Sequence, residues 1–375
     1  MHEPIPPSSK RRRRHLAPMI TVIVVISSIA IMQHINTSQY AITPGQATPI
    51  APLMKIEGIA TEKHLDKIEL VDVYLQQLSV WQWIGAQFQS HVAFLPASAL
   101  VTPGQPTSEL APQGYLEMND SKQSASVAAF RALGYKVPST PTGALITGIN
   151  YPSPAWNANL NIADRIVEVN STKVTSSCGL ISAMHNYAPG QNVVLTIEKS
   201  HFSTTGEITW ASAKPVTMKL KKSPNYVGPS GCQGVDGANK GWLGISVEDA
   251  TSYSLPAKVS INTKYIGGPS AGLSMTLMLI DALSSGSLTN HQVIAATGTI
   301  NADGDVGDVG GVAQKTVAVY NSGARVFLVP MGEVATAQKV HEPGLHIIGV
   351  STLDQALAAL RKLGGAPPIP LAQAK

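Results

Sequence analysis

Gly267-Gly268-Pro269-Ser270-Ala271-Gly272 opens the stretch whose reading decides the fold, and it runs straight into Leu273-Ser274-Met275-Thr276-Leu277-Met278-Leu279-Ile280. A small serine between glycines, ahead of a mostly apolar run, predicts a buried helix with a hydroxyl at its N-terminal end. The unpaired backbone N–H groups of such an end point at whatever lies beyond it. Downstream, Gly310-Gly311-Val312-Ala313-Gln314-Lys315 begins a second helical pattern, with Lys315 three residues after Val312 and four before Val319. That spacing gives the lysine a face shared with apolar residues. Burial there would lower the amine's pKa toward the operating pH. Serine and desolvated lysine together predict a nucleophile whose proton is taken by a neutral amine. Thr297, after Ile294-Ala295-Ala296, supplies a hydroxyl able to orient the lysine. The plainer alternatives are a lysine snorkelling at the core edge and an ordinary strand threonine.

Working outward, Trp242-Leu243-Gly244-Ile245 and Val259 to Thr263 read as strands leading to the serine. Val293 to Ile300 reads as a strand and Asp303-Gly304 as a hairpin turn. Val312 to Ser322 reads as a helix stopped by Gly323, and Arg325 to Val329 as a strand stopped by Pro330. Ser351-Thr352-Leu353-Asp354 opens a last helix to Leu363 in capping-box style, and the proline-containing tail beyond Gly364 reads as disordered. Upstream, Met118 to Leu133 carries helical spacing closed by Gly134, and Met54 to Tyr74 is strand-rich.

Between these parts, from Thr142 to Lys222, short strands alternate with turns. Ala144 to Ile149 and Asp164 to Asn170 are strands, and Ser176 to Tyr187 is a helix closed by Ala188-Pro189-Gly190. Val193, Leu195 and Ile197 alternate on one strand face, as do Val216, Met218 and Leu220. Ser153-Pro154-Ala155 and the run Leu160 to Asn170 resemble a PDZ domain of the bacterial protease-associated kind, with Ala163 where that run usually has glycine. The resemblance implies a module that accepts an extended peptide as an added strand.

The serine stretch resembles the Lon-type protease domain. Gly268 to Gly272 is similar to that family's nucleophile segment, Ala296-Thr297-Gly298-Thr299-Ile300 to its threonine strand, and Gly310-Gly311 with Lys315 to its lysine segment. The resemblance implies Ser270 as nucleophile, Lys315 as general base and Thr297 as partner of the lysine. It covers Trp242 to Leu363. Met118-Asn119-Asp120-Ser121 and the alanine-rich helix after it resemble an earlier part of the same domain, which makes the PDZ-like module an insertion. The whole arrangement is similar to bacterial membrane-anchored PDZ–Lon proteases, and a homo-oligomeric ring is implied by that resemblance alone. Gly267 stands where Lon enzymes carry aspartate, Ala313 where they carry a further lysine, and Thr299 in place of glutamate.

Gly268-Pro269-Ser270-Ala271-Gly272 also matches G-x-S-x-G, the nucleophile elbow of α/β-hydrolases, which needs an acid and then a histidine downstream. Asp303, Asp305 or Asp308 with His341 or His346 satisfies that order, although no HGGG-type segment precedes the serine and Pro269 suits a strained turn poorly. An esterase of this kind, and a non-catalytic membrane-tethered PDZ adaptor, are the competing functions.

Composition narrows the field. With 44% hydrophobic and 13% charged residues the 375-residue chain is that of well-cored domains. The net charge of +4 owes five basic residues to Lys10 and Arg11 to Arg14, so no basic stripe for nucleic acid remains. Aromatics at 5% weaken a base-stacking role further. The residue before Lys315 is Gln314, so Gly310 to Thr316 is no phosphate loop. No other Walker-type segment is present, and ATP-driven unfolding is not expected. There is no H-E-x-x-H and no Cys/His ligand spacing, so neither metal nor cofactor is expected. Cys178 and Cys232 are either one disulfide or two thiols.

Leu16 to Met32 is mainly apolar and carries no charge. It is 17 residues long, near the lower limit for crossing a bilayer as a helix. No small-x-small cleavage pattern follows it, and the basic block before it belongs on the cytoplasmic side. The expectation is therefore an α+β chain in order: a basic cytoplasmic segment (1–15), a transmembrane helix (16–33), a linker (34–53) and the N-terminal part of the protease domain (54–141). A PDZ-like domain (142–222), a linker (223–241), a Lon-type proteolytic domain (242–363) and a tail (364–375) follow. The expected activity is an ATP-independent serine endopeptidase at the cell membrane, acting on extracytoplasmic protein or peptide substrates.

Overall fold

A computed structural model of the chain describes residues 10–62, 65–101, 104–224, 232, 240–264, 266–340 and 342–371. The chain forms two compact units, Met1–Thr43 with Tyr74–Ala97, and Pro44–Val73 with Ser98–Lys375.

In the first unit the helix Lys10–His34 contains the segment expected to span a membrane. Among the described residues no helix is long and apolar enough to cross a membrane, so a span over 16–33 is not found. The large apolar side chains from Met19 to Ile31 are mostly exposed. Gln39–Ile42 pairs antiparallel with Ala93–Pro96. The helix Val80–Ala86 starts at a capping box in which Gln82 N donates to Ser79 Oγ and Ser79 N donates to the Gln82 side chain. Ala41, Leu78 and Ala86 form a small core of this unit.

The second unit has two principal cores. One gathers Ile50, Ile68, Leu70, Val127, Phe130, Leu277, Ile280, Leu328 and Leu360. It thus draws on sequence from both sides of the second core, which consists of residues between Ala144 and Leu243. At the first core, Ile68–Leu70, Ile294–Ala296, Val326–Pro330 and His346–Val350 lie in parallel, with Ile294 opposite both Ile68 and Val326. The helices Leu110–Ala132 and Gly272–Leu283 pack there, and Thr276 Oγ1 donates to Gly272 O at 2.8 Å. Every residue of Gly272–Leu283 is buried. Its polar groups are satisfied, as burial demands: Ser274 and Thr276 donate to carbonyls three and four residues back, and the Asp281 carboxylate accepts from Asp66 N and Leu288 N.

The second core lies under a six-stranded sheet in the order Lys214–Lys219, Asn192–Glu198, Arg165–Val169, Ser139–Ile149, Ile245–Tyr253, with Thr172–Lys173 paired to Arg165–Val169. Val193, Leu195 and Ile197 turn into this core from one strand face. The strand Ile245–Tyr253 falls in the segment expected to be wholly proteolytic (242–363), but it pairs antiparallel with Ser139–Ile149. Its partner lies some hundred residues earlier, a pairing that local pattern does not encode.

Three further expectations change. The tail is held as far as Pro370, since Ile369–Pro370 pairs with Ser284–Ser285 and Ala366 N donates to Ser287 O at 2.8 Å, while 372–375 lie outside the described residues. The last helix is capped by Thr352, whose side chain accepts from Gln355 N, rather than by Ser351. The single strand expected over 293–300 is two, Ile294–Ala296 and Thr299–Ile300, broken at Thr297-Gly298. Most of the linker 223–241 lies outside the described residues; within it, Cys232 is bonded to Cys178, with Cα atoms 5.6 Å apart.

Candidate active site

The helix Val312–Ser322 begins after Gly311, whose φ of 70° is left-handed and suits glycine. From this start Lys315 projects into the interior alongside Val312, Thr316 and Val319, all buried. Its side chain is 1% exposed. There the amine finds Thr297, and Lys315 Nζ donates to Thr297 Oγ1 at 3.1 Å. Thr297 Oγ1 in turn donates to the main-chain oxygen of Ser270 at 3.1 Å. Gly298 N donates to the same oxygen at 2.9 Å, and Leu273 N to Gly298 O at 3.1 Å. The break in the strand at Thr297-Gly298 is therefore what grips the serine loop. Gly298, with φ of 150°, lies where a Cβ would meet Val306 at 2.8 Å.

The serine loop is held from its other side by the helix Leu110–Ala132. Gly268 N donates to Gly114 O at 2.8 Å, and Ser121 Oγ donates to Pro269 O at 3.0 Å. Gly268 adopts φ of 88°. Gly272 leaves no room for a side chain, because a Cβ there would lie 2.9 Å from both Ile300 Cγ2 and Ile300 N. Ser270 is half-buried. It lines a cavity of about 310 Å³ with Pro269, Thr299, Asp308, Val309 and Gly310. The backbone N–H groups of Ser270 and Ala271 have no acceptor among the described residues. They are thus available to a ligand oxygen in that cavity. No hydrogen bond joins Ser270 Oγ to Lys315 Nζ among the described residues. The two side chains meet through Thr297 and the serine's own carbonyl.

Burial pushes the Lys315 amine down to about 8, against the opposing pull of the Glu333 and Asp72 carboxylates. Burial also raises Glu333, while the N–H of Val309, donated to Glu333 Oε2 at 3.1 Å, works in the other direction. Neither carboxylate was legible in the sequence as part of the site, because each arrives from a different element. Asp72 comes from the strand Ile68–Ser79 and Glu333 from the turn Met331–Glu333.

The esterase arrangement is not assembled. Asp308 reaches the serine's cavity, but none of the described histidines lines it. His346 is exposed on the strand His346–Val350, and His341 lies outside the described residues. Among the described residues no group of His, Cys, Asp and Glu forms a metal site.

In the second core's sheet, the strand Ile245–Tyr253 lies at an edge, with the helix Ser177–Met184 beside it. Ser177 donates from N and from Oγ to Asp249 Oδ1, at 2.7 and 2.6 Å. The segment leading into the strand is fixed by Ala155 N to Leu243 O and Asn150 N to Gly244 O. An edge strand flanked by a helix is the geometry that takes up an extended peptide.

Residues 262–362 match the family model of the Lon protease (S16) C-terminal proteolytic domain, and residues 116–209 match that of the PDZ domain. The chain thus carries a serine peptidase domain of Lon type together with a PDZ domain. The PDZ match begins inside the helix Leu110–Ala132, whose buried face belongs to the peptidase core. Among relatives, the Lon protease of Ureaplasma parvum is 29% identical over 168 residues, covering 44% of this chain and 20% of the relative. The Lon protease of Rickettsia prowazekii is 26% identical over 167 residues, again 44% and 20%. The chain aligns with about a fifth of the length of these relatives. A crystal structure of the PDZ domain of an SdrC-like protein from Listeria monocytogenes is similar at 17% identity over 28% of this chain and 87% of that one, with a TM-score of 0.21.

Proposed function

We propose that this chain is an ATP-independent endopeptidase that works through a Ser270–Lys315 dyad. The observation that carries the reading is the buried Lys315 amine, depressed toward neutrality and hydrogen-bonded to Thr297 beside the serine loop. In its neutral form the amine takes the Ser270 hydroxyl proton as Oγ attacks the peptide carbonyl carbon. The reaction requires Ser270 Oγ to approach the amine, and serine side-chain rotation is a fast motion. Apo geometries of such dyads are often looser than the reacting one. The oxyanion is received by the free N–H groups at Ser270 and Ala271. Lys315 then returns its proton to the leaving amine, and later serves as base for the water that hydrolyses the ester. Thr297 holds the lysine's Nζ in place through both steps. The edge strand Ile245–Tyr253 recruits extended segments of protein substrate.

The same reading puts the peptidase outside the cytoplasm, attached to the membrane through 16–33. The Cys178–Cys232 bond supports an oxidising compartment. The apolar side chains exposed between Met19 and Ile31 support attachment to lipid. Assembly into a ring is part of the reading by resemblance, and a native mass measurement decides it.

The test is cleavage of an unfolded protein by the full chain without nucleotide, compared with Ser270→Ala and Lys315→Ala. Cleavage by the parent and neither variant is expected. Equal cleavage by all three would reject the dyad, and none by any would favour an inert PDZ adaptor. Flotation of the chain with vesicles, lost on removal of residues 1–33, tests the attachment.

A further inference from the structure

Residues 15–54 and 73–108 contain no Asp, Glu, Lys or Arg. The first unit, once past Arg14, therefore presents no charge except what its histidines acquire. Surfaces that face water are ordinarily roughly 25–35% charged. Here the place of charge is taken by exposed aromatic and aliphatic side chains: Phe88 is 87% exposed, Trp81 42% and Trp83 40%, with Tyr74 and Leu75 likewise open. Between them stand neutral amides, Gln82, Gln87 and Gln89, all exposed.

The position of these residues within the unit is specific. Val80 N donates to Ile35 O at 2.9 Å, so the helix Val80–Ala86 starts where the apolar helix Lys10–His34 ends. Tryptophan and tyrosine, with an apolar body and a polar edge, partition to the headgroup layer of a bilayer. Uncharged amides tolerate the same layer. With neither sign of charge available, the match is to a zwitterionic lipid surface rather than to an acidic one.

We infer that the face formed by Trp81, Trp83 and Phe88 is a lipid contact, seated in the headgroup layer beside the end of the apolar helix. It rests on the membrane attachment proposed above and adds a second contact that fixes the first unit against the bilayer. A second copy of the chain or another protein on this face are the rival occupants.

The experiment uses the full chain in phosphatidylcholine vesicles. Subtracting the fluorescence of a Trp81→Phe/Trp83→Phe variant from that of the parent isolates these two indoles from the other three. The expected result is a blue-shifted difference spectrum, quenched by lipids brominated near the headgroup, protected from aqueous iodide and unchanged at high salt. Phe88→Gln, a surface change that leaves the small core intact, should weaken the lipid quenching. If the chain floats with the vesicles but the difference emission follows iodide and ignores brominated lipid, the contact is wrong while the attachment stands. Shielding from both quenchers, with a concentration-dependent mass in detergent, would make the face a self-association surface and also overturn the proposal. A chain that does not float removes attachment and contact together.

Discussion

Lys315 Nζ and Thr297 Oγ1 lie 3.1 Å apart in the interior of the peptidase core, the lysine brought by a helix and the threonine by a break between two short strands. Among the described residues an amine so placed has one hydrogen-bond partner, and burial leaves it almost no access to water. This makes its protonation state, and the direction its Nζ points, depend on that one hydroxyl.

Thr297→Val should therefore remove both the acceptor for Lys315 and the donor to Ser270 O. Loss of a positioned base typically costs about 10²–10⁴ in rate, and we expect the lower end because the lysine itself remains. The fall should be in kcat with KM little changed, and Thr297→Ser should restore most of it. Steady-state kinetics on a short peptide decides this, and a purely KM-borne loss would assign the threonine to substrate binding.

The acid limb of the pH profile follows from the depressed amine. If only neutral Lys315 is active, kcat/KM should climb with pH and level off above about 8. Glu333 and Asp72 hold the amine's pKa up. Glu333→Gln keeps an acceptor for Val309 N–H but loses the charge, so its limb should move to lower pH. An unmoved limb would mean that this carboxylate does not act on the amine.

Burial of Lys315 also has a stability consequence. The unfolded chain binds the lysine proton at an ordinary 10.5 and the folded chain only at about 8, so folding is penalised below pH 8. The penalty shrinks as pH rises from 8 to 10.5 and is gone above that. At pH 7 it is on the order of 3 kcal/mol. Lys315→Met should be inactive yet more stable by about 2 kcal/mol at pH 7, after loss of the Thr297 hydrogen bond, worth about 1 kcal/mol. Urea midpoints at pH 7 and 10 read the difference, which should narrow at the higher pH.

Gly272→Ala tests the close approach beneath the serine. Alanine in a helix is ordinarily better than glycine by about 1 kcal/mol. Here the added Cβ would meet Ile300 backbone at 2.9 Å, and overpacking of this kind costs about 1–3 kcal/mol. A net loss of stability is expected, with reduced activity because Ser270 lies in the same turn. A stabilised, fully active variant would show that the loop yields freely.

The disulfide spans a sequence separation of 54, and a loop of that size is worth up to about 4 kcal/mol by chain entropy. Cys178→Ser/Cys232→Ser should lower the unfolding temperature of the PDZ part. Hydrolysis of a short peptide at 25 °C should persist, because neither cysteine touches the Ser270 cavity. Loss of peptide hydrolysis together with PDZ stability would show that the two cores unfold as one.

Much of this molecule was present in local pattern. Helical spacing around Lys315 marked its burial, and Val312–Ser322 forms with those bounds. The glycine-flanked serine before an apolar run marked a helix buried on every side. Alternation at Val193, Leu195 and Ile197 marked the inward face of a strand. These features depend on neighbours three or four residues away, or two, and a sequence shows such neighbours directly.

What only the folded chain decided lies in pairings of distant residues. Ile245–Tyr253 joins the PDZ sheet although it adjoins the peptidase in sequence, because its backbone finds its partners at Ser139–Ile149. Asp72 and Glu333 become the lysine's charge environment from strand and turn far apart in the chain. The broken strand at Thr297 turns a threonine toward the serine loop, where a continuous one would have kept it in the ladder. Spacing along the chain states which side chains are apolar, but hydrogen-bond partners and buried charges are set by closure of the tertiary structure.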